Sequence, residues 1–313
     1  MRDNIDVLIH EVGTRDGLQS IQTIFSTEGK MEWIRREAAA GVPQIQVGSF
    51  VPPKLLPQLA DTAEVVRQSI DIPGLTVAAL VPNLRGAENA MAAGVHQVGV
   101  VMSVSEAHNQ ANVRRSVQES LDEFEKIVAY RDAHPEYKDT VISGGMATAF
   151  GCTISGTVPV SDVMRVAEGL LARGADRLGV ADTVGYANPL QVRELFRELY
   201  ETVGNDVPIG AHFHDTRGLG LANVFAALDA GIREFDSSLA GLGGCPYAPG
   251  ASGNIVTEDL VFMLEAMGLV TGVDLDGLLE ARVIMERQLK GEPVHGTYVM
   301  AGAPKGFVTA SAA

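Results

Sequence analysis

Cysteine is almost missing from this chain: there are two among 313 residues, Cys152 and Cys245. They allow at most one disulfide. A core drawn from 46% hydrophobic residues does not need it, so a reducing, cytoplasmic setting is expected. Long apolar runs are missing as well. No stretch approaches the roughly 18 residues of a membrane span. The opening MRDNIDVLIHEV has only a short apolar piece, interrupted by acidic groups and a histidine, with no small-residue cleavage site. Membrane insertion and secretion are therefore not expected. Positive charge is scarce: 24 Lys and Arg against 39 Asp and Glu leave a net charge of −15. Such a surface repels nucleic-acid phosphates and anionic lipid heads, which argues against both as partners. An anionic substrate then needs a locally positive pocket or a metal.

What is present is a repeated alternation. Short runs rich in Val, Ile and Leu precede longer stretches with helical spacing, about eight times over. The pattern predicts strands beginning near Ile5, Pro43, Leu75, His96, Thr140, Asp176, Pro208 and Arg233. It predicts helices near 27–41, 59–69, 84–93, 115–133, 160–174, 188–204, 218–230 and 256–267. Many of these helices stop on a small-residue signal before the next strand, as in AAAGV at 38–42 and MAAGV at 91–95, where glycine suits the left-handed closing position. Eight βα units without a break favour a closed (β/α)₈ barrel. The rival is an open dinucleotide-binding sheet, which carries a glycine fingerprint after its first strand. TRDGLQS shows none. TGVDLDGLLEARVIMERQLKG adds one amphipathic helix that packs on the barrel. Residues 1–293 are thus expected to form one catalytic domain. Residues 294–313 form a partly disordered tail whose final FVTASAA has little to hold it.

In such a barrel the reacting groups sit where strands end. IGAHFHD at 209–215 closes the seventh strand, and the two-residue period points His212 and His214 the same way. They form half of a metal site or are two ordinary histidines; imidazole suits Zn, Mn, Fe or Co. TRDGLQ at 14–19 closes the first strand. There Asp16 offers a hard anionic oxygen and Arg15 a fixed fork of donors for a carboxylate or enolate. The plainer reading of Asp16 is a turn aspartate. Strands one and seven are separated only by the eighth, so Asp16, His212 and His214 can meet over the mouth. AGLGGCPYAPGASGN at 240–254 has the backbone freedom of a closing loop. Its Cys245 is a proton-transfer candidate or only a small apolar residue. Asn254 is a candidate ligand or a helix cap. Asp182 and Thr183 in ADTVG bind a substrate hydroxyl or shape a turn. Cys152 is given no role, and Ser105 and Glu106 read as a solvated loop.

Taken in order, TRDGLQ, SFVPPK, PNLRG, ADTVG, AHFHD and AGLGGCPYAPGASGN resemble the hydroxymethylglutaryl-CoA lyase branch of the metal-dependent TIM-barrel lyases, from about Val7 to Gly291. The glycine-rich loop is the most specific piece. AHFHD and TRDG are shared more widely, including with condensing enzymes and aldolases. The resemblance implies a metal held by Asp16, His212, His214 and Asn254, Mg or Mn before Zn or Co. It implies catalytic roles for Arg15, Cys245, His212 and Asp182, and substrate contacts from Gln19, Gln46, Ser49, Asn83 and Thr183. The substrate is an acyl-CoA thioester, a 3-hydroxy-3-methylglutaryl-CoA-like compound cleaved to an acyl-CoA and a 3-oxo acid, and a homodimer or higher homo-oligomer is expected of barrels of this type. One position departs from the family. Gln46 stands where the lyases have a glutamate, keeping an acceptor oxygen but losing a charge. A variant substrate, a condensing enzyme and a disabled binding paralogue are the readings this leaves open.

Overall fold

The computed structural model describes residues 4–243, 253–289 and 291–312. Within them, eight parallel strands close into a barrel in chain order, β1 pairing with β8. They are β1 (Leu8–Glu11), β2 (Gln44–Ser49), β3 (Thr76–Val81), β4 (Gln97–Ser103), β5 (Val141–Ala147), β6 (Arg177–Asp182), β7 (Ile209–Phe213) and β8 (Glu234–Ser237). Seven of them begin one residue after the start read from the sequence. The helices between them are α1 (Thr27–Ala39), α2 (Thr62–Ser69), α3 (Leu84–Ala93), α4 (Glu106–Val113), α5 (Val117–Ala133), α6 (Val160–Ala172), α7 (Pro189–Val203) and α8 (Gly220–Asp229). α9 (Thr257–Ala266), α10 (Leu275–Gln288) and the short α11 (Tyr298–Ala301) follow. No described helix is long and apolar enough to cross a membrane.

Local chemistry sets these boundaries. Ser26, Asn83, Ser116, Asn188 and Asp274 each accept an N–H of the first turn of the helix they precede, and Gly94 closes α3 at a φ of 94°. Ser105 and Glu106, expected in a solvated loop, instead cap and open the helix α4.

The core lies between strands and helices. Along β6 and β7 the helix-facing residues Leu178, Val180, Ile209, Ala211 and Phe213 are buried, while Arg177, Gly179, Ala181, Gly210 and His212, which face the barrel axis, are only half-buried. The lumen on this side is therefore open rather than filled by bulky side chains. The end of the chain is held more closely than its composition suggests. Thr297 and Tyr298 donate backbone N–H groups to Asp259, Phe262 packs against Tyr298 and Phe307, and Ser311 bonds Glu265 through both its N–H and its hydroxyl.

Candidate active site

β1 ends in one wide helical turn, Gly13–Gly17, whose five residues are all buried. Its shape throws Arg15 and Asp16 inward over the barrel mouth. On the far side of β8, β7 delivers His212 and His214. Asp16, His212 and His214 each bring a ligand atom within 4.8 Å of the other two, so these groups can hold a metal ion. The imidazole Nε2 atoms face each other at 3.0 Å. Asn254 completes the ring. Its Nδ2 donates to Asp16 Oδ2 at 2.9 Å, and its buried Oδ1 has no hydrogen-bond partner among the described residues. It is not a helix cap, because α9 starts at Thr257. A buried amide oxygen without a donor beside a carboxylate and two imidazoles is the environment a divalent cation satisfies.

The electrostatics agree. Burial raises the Asp16 carboxyl, but Arg15, both imidazoles and the Asn254 amide outweigh it and hold the pKa near 2. Burial and the neighbouring His212 lower His214 to about 4, leaving a neutral imidazole with a free lone pair. Burial opposes the charge on His212 too, yet the carboxylate of Asp236, 3.1 Å from its Nδ1, tips it upward. Asp236 was not singled out from the sequence. It would fix which nitrogen of His212 faces a cation, the usual task of a carboxylate behind a metal-binding histidine.

Arg15 is 8% exposed and held from two sides. Its Nε donates to Gln46 Oε1 at 2.8 Å and its terminal nitrogen pairs with Asp16. Gln46 thus keeps the positioning contact that a carboxylate would make while leaving the guanidinium charge less compensated. Gln19 bonds Asp16 at 2.9 Å, and Thr183 accepts from the Thr148 N–H at 2.8 Å. Arg15, Gln19, Gln46 and Thr183 line one cavity of about 560 Å³ with Asp16, His212 and His214, and α4 adds His108 and Asn112.

Three expected residues lie elsewhere. Asp182 is on the helix-facing side of β6, where its oxygens accept the N–H groups of Tyr186 and Ala187. It caps a turn, and burial raises its pKa to about 6. Strand alternation turns it away from the cavity that Ala181 and Thr183 line. Asn83 is spent as the cap of α3, and Ser49 is buried against Thr62 behind the bulge between Gln46 and Gly48. Cys245 falls outside the described residues.

Beneath the site is a second carboxylate group. Glu11 accepts the Gly13 N–H at 2.6 Å, the Leu239 N–H at 3.0 Å and the Thr257 hydroxyl at 2.7 Å. One side chain therefore joins the Arg15–Asp16 turn to the segment after β8 and to the start of α9. Burial drives Glu11 up to about 8 despite these donors, and it raises the adjacent Glu37 as well.

The fold and this geometry frame the comparisons. The family model described as HMGL-like matches residues 6–284. The chain belongs to the HMGL-like family. It is 43% identical over 288 residues to a hydroxymethylglutaryl-CoA lyase of Bacillus subtilis, covering 92% of this chain and 94% of that protein. It is 40% identical over 287 residues to one of Pseudomonas mevalonii, covering 90% and 92%. The structure of an HMG-CoA lyase from Acinetobacter baumannii, in complex with coenzyme A and 3-methylmalate, superposes with a TM-score of 0.89 at 38% identity over 96% of this chain and 97% of that one. This HMGL-like chain is accordingly a carbon–carbon lyase on a (β/α)₈ barrel.

Proposed function

We propose that the protein cleaves a 3-hydroxy-3-methylglutaryl-CoA-type thioester to an acyl-CoA and a 3-oxo acid, acetyl-CoA and acetoacetate for the parent compound. The observation that carries this reading is the convergence of Asp16, His212 and His214 within 4.8 Å beside Arg15. The lyase names of relatives covering nine-tenths of the chain support it, as does the coenzyme A bound in one of them.

Asp16, His212, His214 and Asn254 are the ligand set, for Mg or Mn. When bound, the cation supplies Lewis acidity that polarises the substrate's hydroxyl and anchors its carboxyl. The other events fall to the chain. The 3-hydroxyl proton passes to a water in the cavity, because His212 turns one ring nitrogen to the cation and has the other held by Asp236. The C2–C3 bond breaks, its electron pair moves into the thioester as an enolate, and C3 becomes a ketone. Arg15, preorganised by Gln46, faces the developing oxyanion and needs no reorganisation to stabilise it. Cys245 is the acid we assign to protonate the enolate carbon. Gln19 and Thr183 line the acyl cavity. Asp236 and Gln46 are positioning residues. We place the reaction in the cytoplasm and the protein in a homodimer.

The test is direct. The purified protein with Mn is mixed with 3-hydroxy-3-methylglutaryl-CoA, and products are read by mass. Acetyl-CoA and acetoacetate are expected, lost on chelation and restored by metal. Metal-independent turnover overturns the ligand assignment. Free CoA released from acetyl-CoA plus a 2-oxo acid, with no cleavage, replaces the lyase by a condensing enzyme.

A further inference from the structure

A (β/α)₈ lumen is ordinarily filled by layers of four inward side chains drawn from alternate strands, mostly bulky and branched. In this barrel the four even-numbered strands begin with Gln44, Gln97, Arg177 and Glu234, so the lowest such layer is entirely polar. Two residues further along the same strands stand Gln46, Gly99, Gly179 and Asp236. From β5 and β7 the lumen receives Ser143, Gly145 and Gly210. A methyl group at Gly179 would meet only the Gly145 Cα, at 3.7 Å, and one at Gly210 nothing nearer than 3.9 Å. Gly179 and Gly210 are thus empty of side chain without being crowded, whereas Leu80 closes on Gly99 and Val101 on Gly145. The same cavity that holds Arg15, Asp16 and His212 reaches Gln44, Gln97, Ser143 and Arg177.

The floor also offers polar groups to whatever enters it. Gln44 is 6% exposed and lines the cavity, yet its side-chain amide bonds no described residue. The amide stays accessible from the cavity, so it can bond the polar end of a ligand. The charged groups around it already pair. Arg177 meets Glu234 and Gln97, and His10 lies 3.6 Å from Asp236 and 3.7 Å from Glu234. A second carboxylate arriving there would face Glu234 and Asp236 with one guanidinium between them. A neutral donor or acceptor meets no such opposition.

Two residues along a strand span about 6.6 Å, the reach of roughly five carbon–carbon bonds. A methyl group on the substrate's third carbon leaves that depth empty. We infer that this lyase accepts 3-hydroxyacyl-CoA substrates whose third-carbon substituent is a chain of about five heavy atoms ending in a neutral hydrogen-bonding group, received in the lumen left open by Gly179 and Gly210 and recognised at its end by Gln44 and Ser143. This deepens the lyase reading and rests on it. Gly179 and Gln44 are then specificity-determining residues, remote from the bond that breaks.

The experiment compares three thioesters on the Mn-loaded protein: 3-hydroxyglutaryl-CoA bearing methyl, butyl or 4-hydroxybutyl at the third carbon. The hydroxybutyl compound is expected to exceed the methyl compound in kcat/KM by about tenfold or more, and the butyl compound to fall between them. Gly179→Leu, which refills the lumen, should lower the hydroxybutyl-to-methyl ratio by about tenfold or more, and Gln44→Leu the hydroxybutyl-to-butyl ratio by a similar factor. Cleavage of the methyl compound with little or none of the other two overturns the long-substituent inference and leaves the lyase reading standing. Inertness of all three overturns both. The wild-type comparison decides the matter even if a variant fails to fold.

Discussion

Glu11 and Asp16 stand at the two ends of one short segment, both buried, and their carboxyls move in opposite directions. Asp16 is held near 2 because a guanidinium, two imidazoles and an amide surround it. Glu11 rises to about 8 because burial outweighs the three donors that reach it, and the neighbouring carboxyl of Glu258 adds to the rise. Arg282, the cation of that region, is committed to Glu258 at 2.8 Å. Burial is common to the two sites, so the sign of the neighbouring charge decides. The upper carboxylate keeps a charge to offer a cation. The lower one keeps a proton and acts as a brace.

The contrast can be broken most severely at Asp16. Asp16→Asn preserves the shape and removes the charge. Activity should fall by more than about 1,000-fold, beyond the cost of a single stabilising donor, and Mn binding by calorimetry should vanish while the circular dichroism spectrum is kept. Retained Mn binding would mean that charge is not what distinguishes the upper site. Arg15→Gln comes next, with a loss of about 100- to 1,000-fold in kcat and a smaller change in metal affinity. Asp236→Asn leaves all four ligands in place but frees His212. A drop of about 10- to 100-fold in metal affinity or activity is expected, and no change would show that His212 is oriented by something else. Glu11→Gln should act on stability. The folded state holds the Glu11 proton up to about pH 8 and the unfolded chain releases it near 4.5. The folded form therefore binds more protons across that window, and stability falls as pH rises through it, by up to about 1.4 kcal/mol per pH unit. Removing the titrating group should flatten the decline of Tm between pH 5 and 8, with a residual slope from Glu37. An unchanged slope would assign the proton to Glu37 alone.

Much of this was legible in the sequence, for physical reasons. Strand starts came out within a residue at seven positions because short β-branched runs sit between strong helix stops. Asp16, His212 and His214 were found because a closed barrel leaves few places for polar strand ends to go. The failures have causes as well. Asp182 sits beside the correct parity, and a shift of one residue in where a strand ends turns a side chain from the lumen to the helix layer. Asn83 lies in a motif, yet its amide is needed by a helix terminus. Asp236 in EFDSS gives no local signal, since its role exists only once His212 arrives from another strand. α4 is short and polar and depends on the Ser105 cap and on packing that a window of residues does not show.

The brace beneath the turn also constrains how its motif can be spelled. A Cβ at position 13 would lie 2.6 Å from a Glu11 oxygen and 2.9 Å from both Ser238 and the Trp33 ring. The glycine of EVGTRDG takes no part in the chemistry; it is the room that Glu11 requires. A homologue with any other residue at that place must have altered its counterpart of Glu11 or Trp33 in step, so covariation among these three positions would record the brace in sequences whose structures have never been determined.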